Sequence, residues 1–369
     1  MNRRPHINCC KLMCASHLLL IGLGLTLGAY PGYANSPKVA APHIFFPPPP
    51  DEAHVQFLAS FASEEQLAEL AGKRNFFRFI VGQDKIQRMI KKPYGITTST
   101  GKIFICDTVS ATVEIADLAK RKLNFFRPGG EGSLGLPVNI AVDSDGTRYI
   151  TDAKRKQVLV FKEDNYVGAI GKRDELQAGG VALTKNRIYV TDIQNHCVRV
   201  YGKAGRNELF TFPKAGETNK SSRLFSPTNL AVDAQGRVQV TDTGGFCVNV
   251  FDAEGNYLRT IGEQGNSPGT FSLPKGVAVD REGRTYVADA ATQVFQIFDP
   301  EGRVLMYFGD PTLSGGGSTC LPAGVAVDYE NVKYFQSFAA PGFLLEYLIL
   351  VTNQAGGEKV SVFGFGHKK

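Results

Sequence analysis

From Phe76 onward the chain is a succession of short apolar runs broken by turn residues, with no convincing helical period. Runs of this length bounded by Gly, Asn and Asp predict strands. Several open alike: Pro93-Tyr-Gly-Ile-Thr, Pro137-Val-Asn-Ile-Ala-Val-Asp, Pro227-Thr-Asn-Leu-Ala-Val-Asp, Pro274-Lys-Gly-Val-Ala-Val-Asp and Pro322-Ala-Gly-Val-Ala-Val-Asp. Their spacings are 44, 90, 47 and 48 residues, and 90 is twice 45. The missing copy is Ala178-Gly-Gly-Val-Ala-Leu183, which makes six repeats. The one helical stretch is Ser63 to Gly72. There Ser63-Glu64-Glu65-Gln66 forms a capping box, Leu67 and Leu70 share a face, and Gly72 can end the helix.

Each copy continues in the same way. A Gly-containing turn leads to a second strand ending in Asp, as in Ile105-Cys106-Asp107, Ile150-Thr151-Asp152, Val190-Thr191-Asp192, Val240-Thr241-Asp242 and Val287-Ala288-Asp289. A third strand follows, such as Cys247 to Phe251, and a fourth ends at Ile261-Gly262 or Phe308-Gly309. Four hairpin-linked strands per unit of about 45 residues is a propeller blade. Runs such as Val294-Phe-Gln-Ile-Phe298 carry apolar residues on both faces, so neighbouring blades must cover both. The small Ala and Gly of the first strand suit the crowded axis. The fold class is all-β: a six-bladed propeller of four-stranded antiparallel blades with a short N-terminal helix.

These residues resemble the NHL repeat, whose pattern is Pro-x-Gly-Ile-Ala-Val-Asp, Ile-Tyr-Val-Ala-Asp, a strand ending Val-Phe-Asp, then Phe-Gly. The resemblance spans about residues 93–366. WD40 and kelch repeats fit less well, because Trp is absent and no di-glycine pattern stands in register. Copy one has Ser99 and copy three Thr184 at the first Asp position, and copy six has Ser337 at the second. Copy six then runs through Phe343 to Val351 and Val360 to Gly364, which gives it four strands of its own. The runs His54 to Phe61 and Phe76 to Val81 are expected to complete or brace blade one, with closure by strand exchange left open.

The N-terminus alters the picture of where the protein works. Arg3, Arg4 and Lys11 precede an apolar run, Leu18 to Ala29, and Gly32-Tyr33-Ala34 is a small-residue cleavage site. This predicts a signal peptide over 1–34 and an exported protein, periplasmic or extracellular, with an uncleaved anchor as the alternative. The run is too short to span a bilayer, which needs about 20 residues. Residues 35–53 form a Pro-rich linker, 54–92 the N-terminal strands and helix, and 93–369 the propeller. Without 1–34, Lys+Arg falls from 41 to 38 against 35 Asp+Glu, a net charge of +3. So mild a charge, on an exported chain, argues against nucleic acid as partner.

Candidate chemistry is sparse. The repeated Asp107, Asp152, Asp192, Asp242 and Asp289 look like a ring of carboxylates, but repetition in every blade points to turn caps. Gly130 to Gly135 matches GxGxxG and Gly265 to Gly269 matches GxSxG. Neither opens a helix, so both read as loops. Beyond the leader the His residues are His43, His54, His196 and His367, too scattered to suggest a metal site. Propeller lyases that resemble this fold use channel-facing His around a metal, and propeller lactonases use Glu, Asn and Asp. Uniform blades supply neither, so the expectation is a chain that is not an enzyme, has no metal site and needs no cofactor. Cys197 and Cys247 occupy equivalent places in adjacent blades, about 10 Å apart, too far for a disulfide. They are expected free, with Cys106 and Cys320 open.

Charge is the non-uniform feature. Loops between strands two and three, and between blades, share one face. On it blades one to three carry Lys91, Lys92, Arg127, Lys154, Arg155, Lys156, Lys172, Arg173 and Arg223, while blades four to six offer a small, apolar half with Glu263 and Asp310 as its charges. This basic crescent suits a protein or other acidic macromolecule as partner. The leading expectation is an exported interaction scaffold. Similar exported bacterial NHL arrays suggest cell-envelope assemblies near multihaem cytochromes, although no Cys-x-x-Cys-His is present for haem attachment. The alternatives are a propeller lyase or lactonase, and a nucleic-acid-binding NHL domain.

Overall fold

A sheet that is apolar on both faces has to be covered twice, and a closed ring of such sheets does this without a separate core. The computed structural model, which describes residues 43–70, 89–172, 174–214, 219–312 and 315–369, shows such a ring. All of them lie in one unit, His43–Lys369. The signal peptide over 1–34, the first part of the linker, the strand expected at Phe76 to Val81, and Arg173 fall outside the described residues.

Blade one consists of Pro93–Ser99, Lys102–Asp107, Thr112–Asp117 and Lys122–Phe126, paired in that order and antiparallel. Blades two to five repeat this from Pro137, Ala178, Pro227 and Pro274. The first strands pack side by side around the axis, and that of blade six meets that of blade one. Each of the six junctions between blades holds its own cluster of buried apolar side chains. Blades two and three, for example, share Val158, Val160, Ile188 and Val190, all fully buried. A large buried aliphatic side chain contributes roughly 1.5–3 kcal/mol relative to exposure. The junctions therefore carry the stability of the fold.

Blade six departs from the sequence reading twice. Its strand order is Pro322–Asp328, Phe343–Asn353, Val360–Lys368, Val55–Phe61 and Phe45–Phe46. The N-terminal strand thus completes blade six and not blade one, and closure by strand exchange is realised. The reason is pairing capacity. Val360–Lys368 presents a free edge, and Val55–Phe61 matches it antiparallel from Val55↔Phe365 to Phe61↔Val360. The second correction concerns Ser337. Residues 332–338 form two short 3-10 turns, and the second strand begins only at Phe343. Pro322 pairs with Asn353 as Pro93 pairs with Asp107, so Asn353 holds the place of the repeated Asp. The insertion folds over blade one, where Arg121 donates to the Tyr334 carbonyl at 3.2 Å and stacks on Phe335. The helix, Glu64–Glu69, is capped by Ser63, whose hydroxyl accepts from the Gln66 amide.

Candidate functional site

The ring has two dissimilar ends. One, the turn face, carries the hairpins between first and second and between third and fourth strands. The other, the loop face, carries the hairpins between second and third strands and the crossings from blade to blade.

The repeated Asp side chains build the loop face from beneath. Each is fully buried. Asp107 accepts the amides of Lys91, Lys92, Val109 and Ser110, tying the incoming crossing to the hairpin of the same blade. Asp152 does so with Gly135, Leu136, Lys154 and Arg155, and Asp289 with Ser272, Leu273, Ala291 and Thr292. Asp242 takes Phe225 and Ser226. Asp192 takes Gln177 and Asn195 and also an Arg199 side chain at 2.7 Å. Asn353 offers only one such bond, from the Cys320 amide at 3.2 Å. Carboxylates saturated by amides are poor candidates for metal or acid–base chemistry and good supports for loops.

At the axis the third residue of the first strands is Gly95, Asn139, Gly180, Asn229, Gly276 and Gly324. Asn139 donates its side-chain amide to Asn229 Oδ1 at 2.8 Å, a bond made in front of Gly180. A Cβ on Gly180 would lie 2.7 Å from that same oxygen, so glycine is required there. This bond floors a cavity of about 280 Å3, lined by the later residues of the first strands, among them Val142, Leu183, Val232, Val279 and Val327. The channel is thus obstructed at its loop-face end.

Above that obstruction lies a cluster that sequence reading missed. The second residues of the first strands are Tyr94, Val138, Gly179, Thr228, Lys275 and Ala323, so Lys275 alone is charged. That singularity was the available signal. The small Ala323, fully buried, leaves room for Lys275 of blade five to reach blade one, and its ammonium lies 5.7 Å from the centre of the Tyr94 ring. Lys275 donates to Gln354 Oε1 at 3.1 Å, and Lys359 donates to the Gln354 carbonyl at 3.1 Å. Burial, then repulsion from Lys92, pushes the Lys275 ammonium below its usual range. Burial does the same for Lys359, opposed by the Asp107 charge.

The predicted crescent is placed unevenly. Lys91, Lys92, Lys154 and Arg223 are exposed on the loop face and make no ion pair among the described residues. Arg127 instead donates to the Ser110 carbonyl at 2.8 Å, and Arg155 to the Glu131 and Ser133 carbonyls at 2.7 and 3.0 Å. Lys156, in the left-handed region at φ 55°, lies 3.7 Å from Asp174, and Lys172 lies 3.6 Å from Glu175. Exposed apolar side chains stand on the same face: Val109, Leu136, Phe225 and Leu321.

A family model described as a 6-bladed beta-propeller matches residues 215–310. Solved structures agree on the fold alone. A Bacteroides thetaiotaomicron VPI-5482 protein of unknown function is 16% identical, with TM-score 0.58 over 85% of this chain and 76% of that one. A catalytically inactive virginiamycin B lyase from Staphylococcus aureus, solved with quinupristin, is 12% identical, with TM-score 0.51 over 75% and 96%. A chain of a nidogen/laminin complex is 17% identical, with TM-score 0.52 over 74% and 97%. No curated protein matches. The lyases correct one expectation. Uniform blades were read as excluding an enzyme, yet the same architecture carries a streptogramin B lyase at 13% identity, so the fold admits catalysis.

The remaining candidates are placed as follows. His43 contacts Gln56, His54 stacks on Phe365, His196 contacts the Phe225 carbonyl and His367 contacts Glu346, so none stands on a first strand. Among the described residues no three His, Cys, Asp or Glu side chains form a group able to hold a metal ion. None of the described helices is long and apolar enough to cross a membrane. Gly130–Gly132 is a 3-10 turn in the crossing between blades one and two, and Gly265 to Gly269 lies in the crossing between blades four and five. The four cysteines among the described residues, Cys106, Cys197, Cys247 and Cys320, are free. Burial, then the Asp192 or Asp242 charge, raises the Cys197 and Cys247 thiols to about 12, which makes them poor nucleophiles.

Proposed function

We propose that the chain is an exported NHL-type propeller that binds an acidic protein on its loop face. The observation that carries this reading is a group of loop-face cations that have no carboxylate partner and stand beside exposed apolar side chains. On the turn face many basic side chains already have carboxylate partners, as in Arg148–Asp164, Lys162–Asp145, Lys203–Asp143, Arg237–Asp233, Arg284–Asp280 and Arg303–Asp299, at 2.5 to 3.0 Å. On the loop face Lys91, Lys92, Lys154 and Arg223 have none, and the Asp residues beneath them are occupied by backbone amides. Unpaired cations beside exposed Phe225 and Leu136 suit a partner with both acidic and apolar residues. The nidogen/laminin likeness supports a protein partner for a fold of this kind. An envelope location follows from the predicted signal and is part of the same proposal.

The test is an affinity measurement with a fluorescent Glu- and Phe-containing peptide at low and at physiological salt. Lys154→Glu with Arg223→Glu should weaken binding about tenfold, near 1.4 kcal/mol, and flatten the salt dependence. The turn-face pair Lys102→Glu with Lys122→Glu should leave it unchanged. Equal effects from both pairs reject the reading. Catalysis is a second reading, favoured by the lyase likeness and by the 280 Å3 cavity. Metal analysis of purified protein with a substrate screen tests it.

A further inference from the structure

We propose that Lys275, Lys92 and Lys359 form a seat for one carboxylate of the acidic partner, at the centre of the loop face above the obstructed channel. The inference rests on the loop-face reading and deepens it by naming the ligand group and the residues that take it.

Three facts carry it. Like charges have been brought together around Gln354 and the Tyr94 ring, at a position of the first strand where Ala323 and Gly179 stand in other copies. Their present acceptors are neutral, since Gln354 provides an amide oxygen to one lysine and its carbonyl to another. Asp107, whose charge acts on Lys359, already accepts four backbone amides and forms no ion pair with either lysine, and Glu358, raised by burial, forms none among the described residues. A partly desolvated ammonium, such as Lys275 beside Lys92, gains from an added anion. A carboxylate supplies two charged oxygens and can replace the Gln354 amide oxygen on Lys275 directly. The cluster contains no arginine, so it lacks the fork that matches phosphate bidentately. The exposed apolar residues on the same face point to a protein segment as the bearer of that carboxylate.

Anion binding should also draw a proton towards Lys275. Its affinity is full while the ammonium is charged and falls as pH rises through the lowered pKa. The experiment uses the full chain with 13C-labelled lysines. Succinate and inorganic phosphate are titrated separately, and the Lys275 Cε resonance is identified by its loss in Lys275→Met. Succinate should shift that resonance and raise its titration midpoint. Lys275→Met should weaken the acidic peptide about tenfold, and Lys92→Gln, at an exposed site, should weaken it in the same direction without touching the core. If Lys154→Glu with Arg223→Glu weakens the peptide while Lys275→Met and Lys92→Gln do not, the seat is rejected and the loop-face reading stands. If none of the changes matters, both fall. A response to phosphate without one to succinate overturns the carboxylate assignment.

Discussion

A single side chain in each of four blades, Asp107, Asp152, Asp192 and Asp289, holds two separate stretches of backbone, and its removal should be felt accordingly. In Asp152→Ala the amides of Gly135, Leu136, Lys154 and Arg155 lose their acceptor. Each buried donor left unsatisfied costs about 1–3 kcal/mol, less where water can enter. We expect a loss of at least about 3 kcal/mol in urea unfolding, with Asp152→Asn recovering part of it. Glu114 is the contrary case. It is fully buried, Thr112 donates to its Oε1 at 2.7 Å, and its Oε2 has no partner. Burial raises its pKa from 4.5 to about 8, against the pull of Thr112. The native state therefore keeps a proton that the unfolded chain releases. Stability should fall as pH rises from about 4.5 to about 8 and then level off. Glu114→Gln should flatten that slope, read as melting temperature against pH. An unchanged slope would remove Glu114 as its source.

At the scale of strands, what could be read from sequence was what repeats. Pro137, Pro227, Pro274 and Pro322 announce their strands because each is followed by the same local pattern, and the hairpins close within a few residues. Val55–Phe61 carries no such mark, because its partner Val360–Lys368 lies at the other end of the chain. Ser337 misled for the opposite reason, since it met a local pattern in a place the chain had filled with an insertion. Phe61, buried against Ile90, Leu348 and Val360, should make the N-terminal strand matter energetically. Phe61→Ala is expected to cost about 3–5 kcal/mol, as for other buried aromatics. A cost under about 1 kcal/mol would mean that the ring holds without its N-terminal strand. The Asn139–Asn229 pair should show a coupling of about 0.5–1.5 kcal/mol in a double-mutant cycle. A coupling near zero would mean that the bond contributes nothing in solution.

At the scale of the whole ring the loop face gathers unpaired cations next to exposed apolar side chains. The described residues of the basic crescent lie in loops of one face, because loop positions follow from the repeat. The sequence could not separate Lys154 and Arg223 from Arg127 and Arg155, whose guanidinium groups turn to nearby carbonyls. Nor did it find Lys275, which is conspicuous only when six copies are aligned at one position and the axis they surround is known. An expectation follows for salt. If the loop face is an electrostatic docking surface, added salt should weaken the partner far more than it shifts unfolding, since the junctions between blades are apolar. Parallel measurements of affinity and melting temperature across a salt series would show whether the two responses separate.

The circular closure has a consequence for chain length. Val360–Lys368 lies between Phe343–Asn353 and Val55–Phe61, so it is the middle of its blade although it follows the other described strands in sequence. A premature stop after residue 359 would delete only residues 360–369, yet Val55–Phe61 would lose the strand that pairs it to the blade. The wound would span two strands and open the seam between blades six and one. Incomplete copies should then be conspicuous to proteases in a way that a nick in an ordinary terminal tail would not.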